Sequence, residues 1–268
     1  MSLLQSASVL QASDVAYRIG SATLLQPMSI TLKAGEVTAI LGPNGAGKST
    51  LLSLLSGQRK PSGAGHVSIN DRKMTDFSAA ELARFRAVLP QDTAVAFDYT
   101  VQDIVELGRF PHARKPSTDE VGILQAAMRA TRVDAFAHRI IHTLSGGERA
   151  RAQLARVLAQ IWEPSPDHSA RWLLLDEPTA ALDLSHQHDV LRLVRHWAKE
   201  RGVGVVAVLH DLNLALRYAD SVVVLEQGRL RGHGAPAQVL LADSVSQIWR
   251  VKVREASDAD GTRQLLVS

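Results

Sequence analysis

Four short apolar runs in this chain each end on a polar side chain, and that repetition narrows the possible folds more than any other feature. Val37–Leu41 runs into Gly42, residues 87–90 into Gln91, residues 172–175 into Asp176 and Glu177, and residues 203–209 into His210. Short, β-branched-rich runs closed by turn residues are the pattern of buried strands in a parallel sheet. Open sheets of that kind bind ligands beyond the carboxyl ends of their strands. Phosphate-binding, amide, carboxylate and imidazole groups are therefore expected along one sheet edge, the make-up of a nucleotide-hydrolysing site.

The first of these edges is the most specific. Gly42-Pro43-Asn44-Gly45-Ala46-Gly47-Lys48-Ser49-Thr50 fits G-x-x-x-x-G-K-[ST] between a strand pattern and a helix pattern. The glycines let the backbone curl so that successive N–H groups face phosphate oxygens, and the following helix adds its positive dipole end. Lys48 is placed to reach the β- and γ-phosphates, and the Ser49 hydroxyl to ligate Mg²⁺. Further on, an apolar strand delivers two adjacent carboxylates. Asp176 suits the Mg²⁺ shell, and Glu177 is the group to polarise an attacking water. Taken alone, the same two acids would serve as an ordinary start to the next helix.

Leu144-Ser145-Gly146-Gly147-Glu148 forms a second turn of anion-binding type, with a hydroxyl and free N–H groups at a helix start. Bare, it reads equally as a helix cap.

Together these segments resemble the ATP-binding cassette family over nearly the whole chain. Residues 42–50 match its Walker A motif, Gln91 its Q-loop, residues 144–148 its signature motif and residues 173–177 its Walker B motif with the following glutamate. Asp183, in Ala181-Leu182-Asp183, matches the D-loop, and His210 the switch histidine. Six motifs in the family's order make the resemblance specific. It implies an α/β fold: a RecA-like P-loop core with a mainly parallel sheet, N-terminal antiparallel strands and an inserted α-helical subdomain. The expected organisation is one cassette, with residues 1–91 and 158–268 forming the core and 92–157 the helical subdomain.

The resemblance also implies roles that spacing does not supply. ATP and Mg²⁺ are the expected ligands, the metal held by Ser49, Gln91 and Asp176. Catalysis falls to Glu177, His210, Gln91 and Lys48. Two cassettes are expected to close head to tail, so that Ser145, Gly146, Gly147 and Glu148 of one complete the site of the other, with Asp183 communicating across the dimer. Family members place an aromatic side chain against adenine just before an N-terminal glycine; here Ile19 precedes Gly20, and Tyr17, two residues earlier on the same strand face, either stacks on the base or packs structurally.

Composition agrees. The chain has 268 residues, 46% hydrophobic and 21% charged, enough for an ample core. No apolar run reaches the roughly 18 residues of a spanning helix. With no cysteine there are no disulfides, catalytic thiolates or iron–sulfur ligands. The net charge of +3 is spread rather than blocked, so no nucleic-acid partner is expected. His186 and His188 diverge on a helix and His138 and His142 flank a loop, so neither pair reads as a zinc site.

A cassette without membrane helices implies two copies of a separate transmembrane permease and, indirectly, a periplasmic or extracellular substrate-binding protein. It also implies peripheral attachment to the cytoplasmic face of the inner membrane. Overall the chain resembles ATPases of importers for iron complexes and cobalamin. Residues 89–101 and the long connection 162–171 look most like the hemin-importing branch, with siderophore or cobalamin import as the alternative and a non-transport ATPase acting on nucleic acid or ribosomes as the remote one.

Overall fold

The computed structural model describes residues 8–91, 97–165, 167–257, 259 and 261–268. In chain order it contains β1 (Val9–Ile19), β2 (Ala22–Lys33), β3 (Val37–Leu41), α1 (Lys48–Leu55), β4 (His66–Ile69), β5 (Arg72–Lys73), α2 (Ala79–Phe85) and β6 (Arg86–Leu89). Three helices follow, α3 (Val101–Leu107), α4 (Glu120–Ala130) and α5 (Gly146–Gln160). The chain then runs through β7 (Trp172–Asp176), α6 (Leu184–Arg201), β8 (Gly204–Val208), α7 (Leu212–Tyr218), β9 (Ser221–Glu226) and β10 (Arg229–Gly234). It ends with α8 (Pro236–Val239), α9 (Ala242–Trp249), β11 (Val253–Ser257) and β12 (Arg263–Val267).

Six strands form the central sheet in the order β10-β9-β3-β8-β7-β6, and the four pairings from β9 to β6 are parallel. Period-2 alternation sends side chains to two opposite layers. Val37, Ala39 and Leu41 of β3, Leu173 and Leu175 of β7, and Val205 and Ala207 of β8 face a cluster shared with α5, α6 and α7. Ile40, Trp172, Leu174, Val206 and Val208 face the other cluster, shared with α1 and the N-terminal strands. Both faces are buried, which is why these strands read as unbroken apolar runs.

The N-terminal sheet has the order β2-β1-β4-β5 and is antiparallel throughout. β2 runs straight through Pro27. Proline is tolerated there since β2 is an edge strand of this sheet, where a missing N–H is least costly. Helices α3, α4 and α5 enclose their own apolar cluster, built from Val101, Ile104, Ile123, Ala127 and Ala155 among others. Helix α5 serves two cores: Ala152, Ala155 and Ala159 face its helical neighbours, while Leu154, Val157 and Leu158 face the sheet.

Sheet register decides which residues meet. Leu89 pairs with Leu175, Asp176 with Val208, and Ile40 with Val208. Two residues past these pairs, Gln91, Glu177, Gly42 and His210 emerge side by side at the carboxyl edge.

Candidate functional site: a phosphate loop facing paired carboxylates

Gly42 leaves β3 at φ 151°, and a Cβ there would lie 2.2 Å from the Leu225 carbonyl oxygen. Gly47, the residue before α1, has φ 98°, and a Cβ would meet Leu25 Cδ2 at 2.6 Å. Only glycine fits either position, and the loop is thereby pressed onto its neighbours. The Gly228 N–H donates to the Ala46 carbonyl at 3.1 Å, and the Gly228 carbonyl accepts from Gln26 N–H at 2.8 Å. The β9–β10 turn thus buttresses the loop.

Lys48 is 6% exposed and donates through Nζ to the carbonyls of Gly42 (2.9 Å) and Pro43 (3.0 Å). Burial pulls its ammonium below the ordinary lysine value, while Glu177 and Asp176 pull it back up. Across the cleft the Ser49 hydroxyl donates to Asp176 Oδ1 at 3.1 Å. Burial pushes the Asp176 carboxyl up; the Ser49 hydrogen bond opposes this and the nearby Glu177 adds to it. Each is a charge stripped of part of its water, and no ion pair joins them among the described residues. A polyphosphate would balance the lysine and a cation the aspartate.

Glu177 is held in the left-handed region at φ 52°, a conformation a non-glycine residue keeps only when its surroundings enforce it. Its two oxygens are taken by different strand ends: Oε1 lies 2.7 Å from His210 Nε2, and Oε2 accepts from Gln91 Nε2 at 3.2 Å. The carboxylate is 15% exposed, against 47% for the His210 side chain. Glu177 borders a cleft of about 620 Å³ lined also by residues 44–50, Thr23, Leu24, Gln227 and Gly228. A larger cavity of about 740 Å³ lies beside Gly35, Arg171 and Gly202, at the amino ends of β3, β7 and β8. It is thus at the wrong edge for the strand-end chemistry.

The donor set fits Mg²⁺. Ser49, Asp176 and Gln91 present hard oxygen atoms, and among the described residues no group of three or more His, Asp or Glu side chains is placed to hold a metal alone. Mg²⁺ characteristically takes one or two protein oxygens and completes its shell with water and substrate phosphates.

Ser145 caps α5. Its side chain accepts from Glu148 N–H at 3.2 Å, and Glu148 Oε2 accepts from Ser145 N–H at 2.8 Å, a reciprocal capping box. Those hydrogen bonds hold the exposed Glu148 carboxyl below its ordinary value. Gly147 lies against Leu182 and Ala181, so the signature and D-loop segments are adjacent within the chain. Among the described residues no hydrogen bond or ion pair links residues 145–148 to Lys48, Asp176 or Glu177.

Asp183 caps α6, accepting from the backbone N–H and Nδ1 of His186 at 2.9 Å and from Ser185 Oγ at 3.0 Å. Those donors, led by the backbone N–H, lower its carboxyl to about 2. His188 instead meets the Tyr218 hydroxyl at 2.7 Å, so the two histidines diverge as expected.

Tyr17 stands opposite Leu25 on β1 and is half-buried. Its hydroxyl accepts from Arg59 Nη1 at 2.7 Å, with the guanidinium 5.2 Å from the ring centre. It is not among the described residues lining the cleft. Thr23, Leu24 and Gln227 are, and sequence reading missed them, since a strand start and a hairpin turn carry no signal of what they face. Arg109 is 6% exposed and bonds Glu120, Glu163 and the Ala159 carbonyl.

Residues 25–180 match the family profile described as "ABC transporter". The chain is 48% identical over 233 residues to the hemin import ATP-binding protein HmuV of Gloeobacter violaceus, covering 87% of this chain and 84% of that one. It is 44% identical over 263 residues to HmuV of Burkholderia cenocepacia, covering 91% and 94%. Among solved structures it is similar to "an inward-facing conformation of a putative metal-chelate type ABC transporter", with TM-score 0.80 and 25% identity over 97% of this chain and 98% of that one. A phosphate loop pressed against a carboxylate pair, on a sheet shared with these relatives, places the chain in the ABC transporter family as an ATP-binding subunit.

Proposed function

We propose that this chain hydrolyses ATP to drive hemin import through a separate permease, with Glu177 as the general base. The observation carrying this reading is the pairing of Glu177 with His210 and Gln91 at 2.7 and 3.2 Å, directly across the cleft from Lys48. Gln91 donates to one carboxylate oxygen and the His210 ring nitrogen closes on the other, so together they orient Glu177 to accept a proton from a water aligned with the γ-phosphate. On ATP binding, Lys48 exchanges its two carbonyl partners for β- and γ-phosphate oxygens, and residues 42–50 offer their N–H groups to the same chain of phosphates. Ser49, Asp176 and Gln91 would hold Mg²⁺, which when bound neutralises charge developing on the phosphates. Tyr17, on the same sheet as the cleft-lining Thr23 and Leu24, is the side chain we assign to adenine.

The signature turn has no phosphate within its own chain to bind, which supports a head-to-tail homodimer in which Ser145, Gly146, Gly147 and Glu148 close the partner's site and Asp183 lies at the seam. Residues 92–157 act as the helical subdomain inserted between 1–91 and 158–268. Its exposed Leu107 and Phe110 line a groove of about 560 Å³ running from Tyr99 to Glu120, with exposed Phe97 packed edge-on against Tyr99, the surface we assign to the permease. Residues 92–96, between Gln91 and this groove, lie outside the described residues. Among the described residues no helix is long and apolar enough to cross a membrane, in keeping with peripheral attachment at the cytoplasmic face of the inner membrane.

Hemin as cargo rests on the relatives. A metal-chelate cargo of another kind is the second reading, favoured by the solved transporter. The chain co-purified with its permease in vesicles separates them. Stimulation of ATPase by hemin-loaded binding protein is expected; stimulation only by ferric-siderophore- or cobalamin-loaded protein replaces the cargo, and no stimulation by any of them removes the import role.

A further inference from the structure

His210 is joined to Asp211 and then to α7, so whatever fixes the amino end of that helix also fixes the imidazole. Asp211 caps it, its Oδ1 accepting from the backbone N–H groups of Asn213 (2.7 Å) and Leu214 (3.0 Å). The far end is tied to α6: the Tyr218 hydroxyl bonds His188 Nδ1 at 2.7 Å and the Tyr218 carbonyl accepts from Arg195 at 2.8 Å. The near end has a different anchor. Asn213 Nδ2 donates to the Leu265 carbonyl at 3.1 Å, and Asn213 Oδ1 accepts from the Leu265 N–H at 2.8 Å.

That carboxamide pairs with β12 as another strand would. The hairpin β11–β12 is a two-stranded sheet of its own, outside both larger sheets. Leu265, 4% exposed, nonetheless belongs to the cluster that contains Leu214, Ala215 and Tyr218 of α7. The C-terminal hairpin is therefore seated on the helix that follows His210, through the Asn213 carboxamide, satisfied twice, and the buried Leu265 side chain.

We infer that Asn213 is a positioning residue for ATP hydrolysis: by clamping the first turn of α7 to Leu265 it holds His210 against Glu177. The inference rests on the role proposed above for His210. His210 is 47% exposed and meets Glu177 through one ring nitrogen, so little else restrains its approach. A misplacement of about 1 Å costs up to about a hundredfold in rate. Asn213 touches neither the phosphate loop nor the cleft, so nucleotide affinity does not depend on it.

The test is steady-state ATPase of the full chain with four variants: Asn213→Ala, Asn213→Asp, His210→Ala and the double variant Asn213→Ala/His210→Ala. Asn213→Ala is expected to lower kcat about tenfold with KM for ATP within twofold. Asn213→Asp keeps the acceptor for Leu265 N–H and loses the donor, so its kcat should fall between wild type and Asn213→Ala. In the double variant the Asn213 change should have no further effect. Should Asn213→Ala not fold, the same comparison is made with Asn213→Asp. Wild-type kcat in the Asn213 variants overturns the inference, as does an equal loss with and without His210, because Asn213 would then act by another route. Wild-type turnover in His210→Ala overturns instead the role of His210 itself, and is seen without reference to Asn213.

Discussion

The two anion-binding turns of this molecule are built in opposite ways. At the phosphate loop Lys48 bonds its own loop's carbonyls, but the other functional side chains find partners on distant elements: Ser49 on Asp176, His210 and Gln91 on Glu177. At the signature turn, Ser145 and Glu148 bond only each other among the described residues. The first is assembled by the sheet, and its pieces have no fixed relation without it. The second is complete as a local helix cap and faces outward. With the Ser145 and Glu148 N–H groups bonded locally, the turn is formed in advance of a ligand delivered by another molecule. The phosphate loop, by contrast, keeps buried charges apart, and those charges are relieved only when nucleotide and cation arrive.

The largest expected effect breaks the assembled side. Glu177→Gln keeps the shape and the contacts with Gln91 and His210 while removing the base, so turnover should fall about 10²–10⁴-fold. ATP affinity, read by equilibrium binding, should be preserved. Turnover within twofold of wild type would take Glu177 out of the chemistry.

Ser145→Arg tests the outward turn. Bulk there leaves the chain's own cleft untouched, so binding of ATP to the isolated subunit should not change, while hydrolysis should fall about 10²–10³-fold, as when a preorganised anion donor is lost. A mixed dimer of Ser145→Arg and Lys48→Ala subunits places both lesions in one composite site and should retain close to half the activity. Full activity of the variant alone, or of wild type diluted to monomer, would show that the two turns do not meet.

Gly42→Ala should cost about 2–4 kcal/mol of stability, measured by denaturant unfolding, because the added methyl meets the Leu225 carbonyl at a positive φ. Gly146→Ala, where a Cβ finds only Ala181 Cβ at 4.0 Å, should be near neutral. Equal costs would mean the two turns are not packed differently after all.

The smallest effect is a titration at the seam. The backbone and imidazole donors of His186 favour the ionised Asp183, so its folded value lies below the unfolded one. Its contribution to the α6 cap is present above the ordinary aspartate range and is lost only as pH falls toward about 2. Carboxyl NMR should find Asp183 titrating near that value, whereas Asp183 in His186→Ala should titrate higher.

Much of this was legible in the primary structure because it acts over a few residues. Apolar runs located β3, β6, β7 and β8, and residues 144–148 read as a helix start that Ser145 does cap. Gln227 and Gly228, both at positive φ (48° and 74°), form the tight β9–β10 turn. Other features needed the fold. That the same turn braces the phosphate loop follows from β9 lying beside β3, a neighbour relation that hairpin chemistry does not encode. Arg59 beneath Tyr17, the lining by Thr23 and Leu24, and Arg109 joining Glu120 to Glu163 likewise depend on elements far apart in the chain.

By itself, then, the sequence determined which chemical groups this protein carries and that each stands at a strand end, since strand periodicity, glycine turns and helix caps are local consequences of side-chain size and hydrogen bonding. Tertiary structure alone decided who touches whom. Leu89 opposite Leu175, and Asp176 opposite Val208, bring Gln91 and His210 to the two oxygens of Glu177. Strand order and register are set by packing two apolar faces at once, a condition on the whole sheet that no single stretch of residues contains.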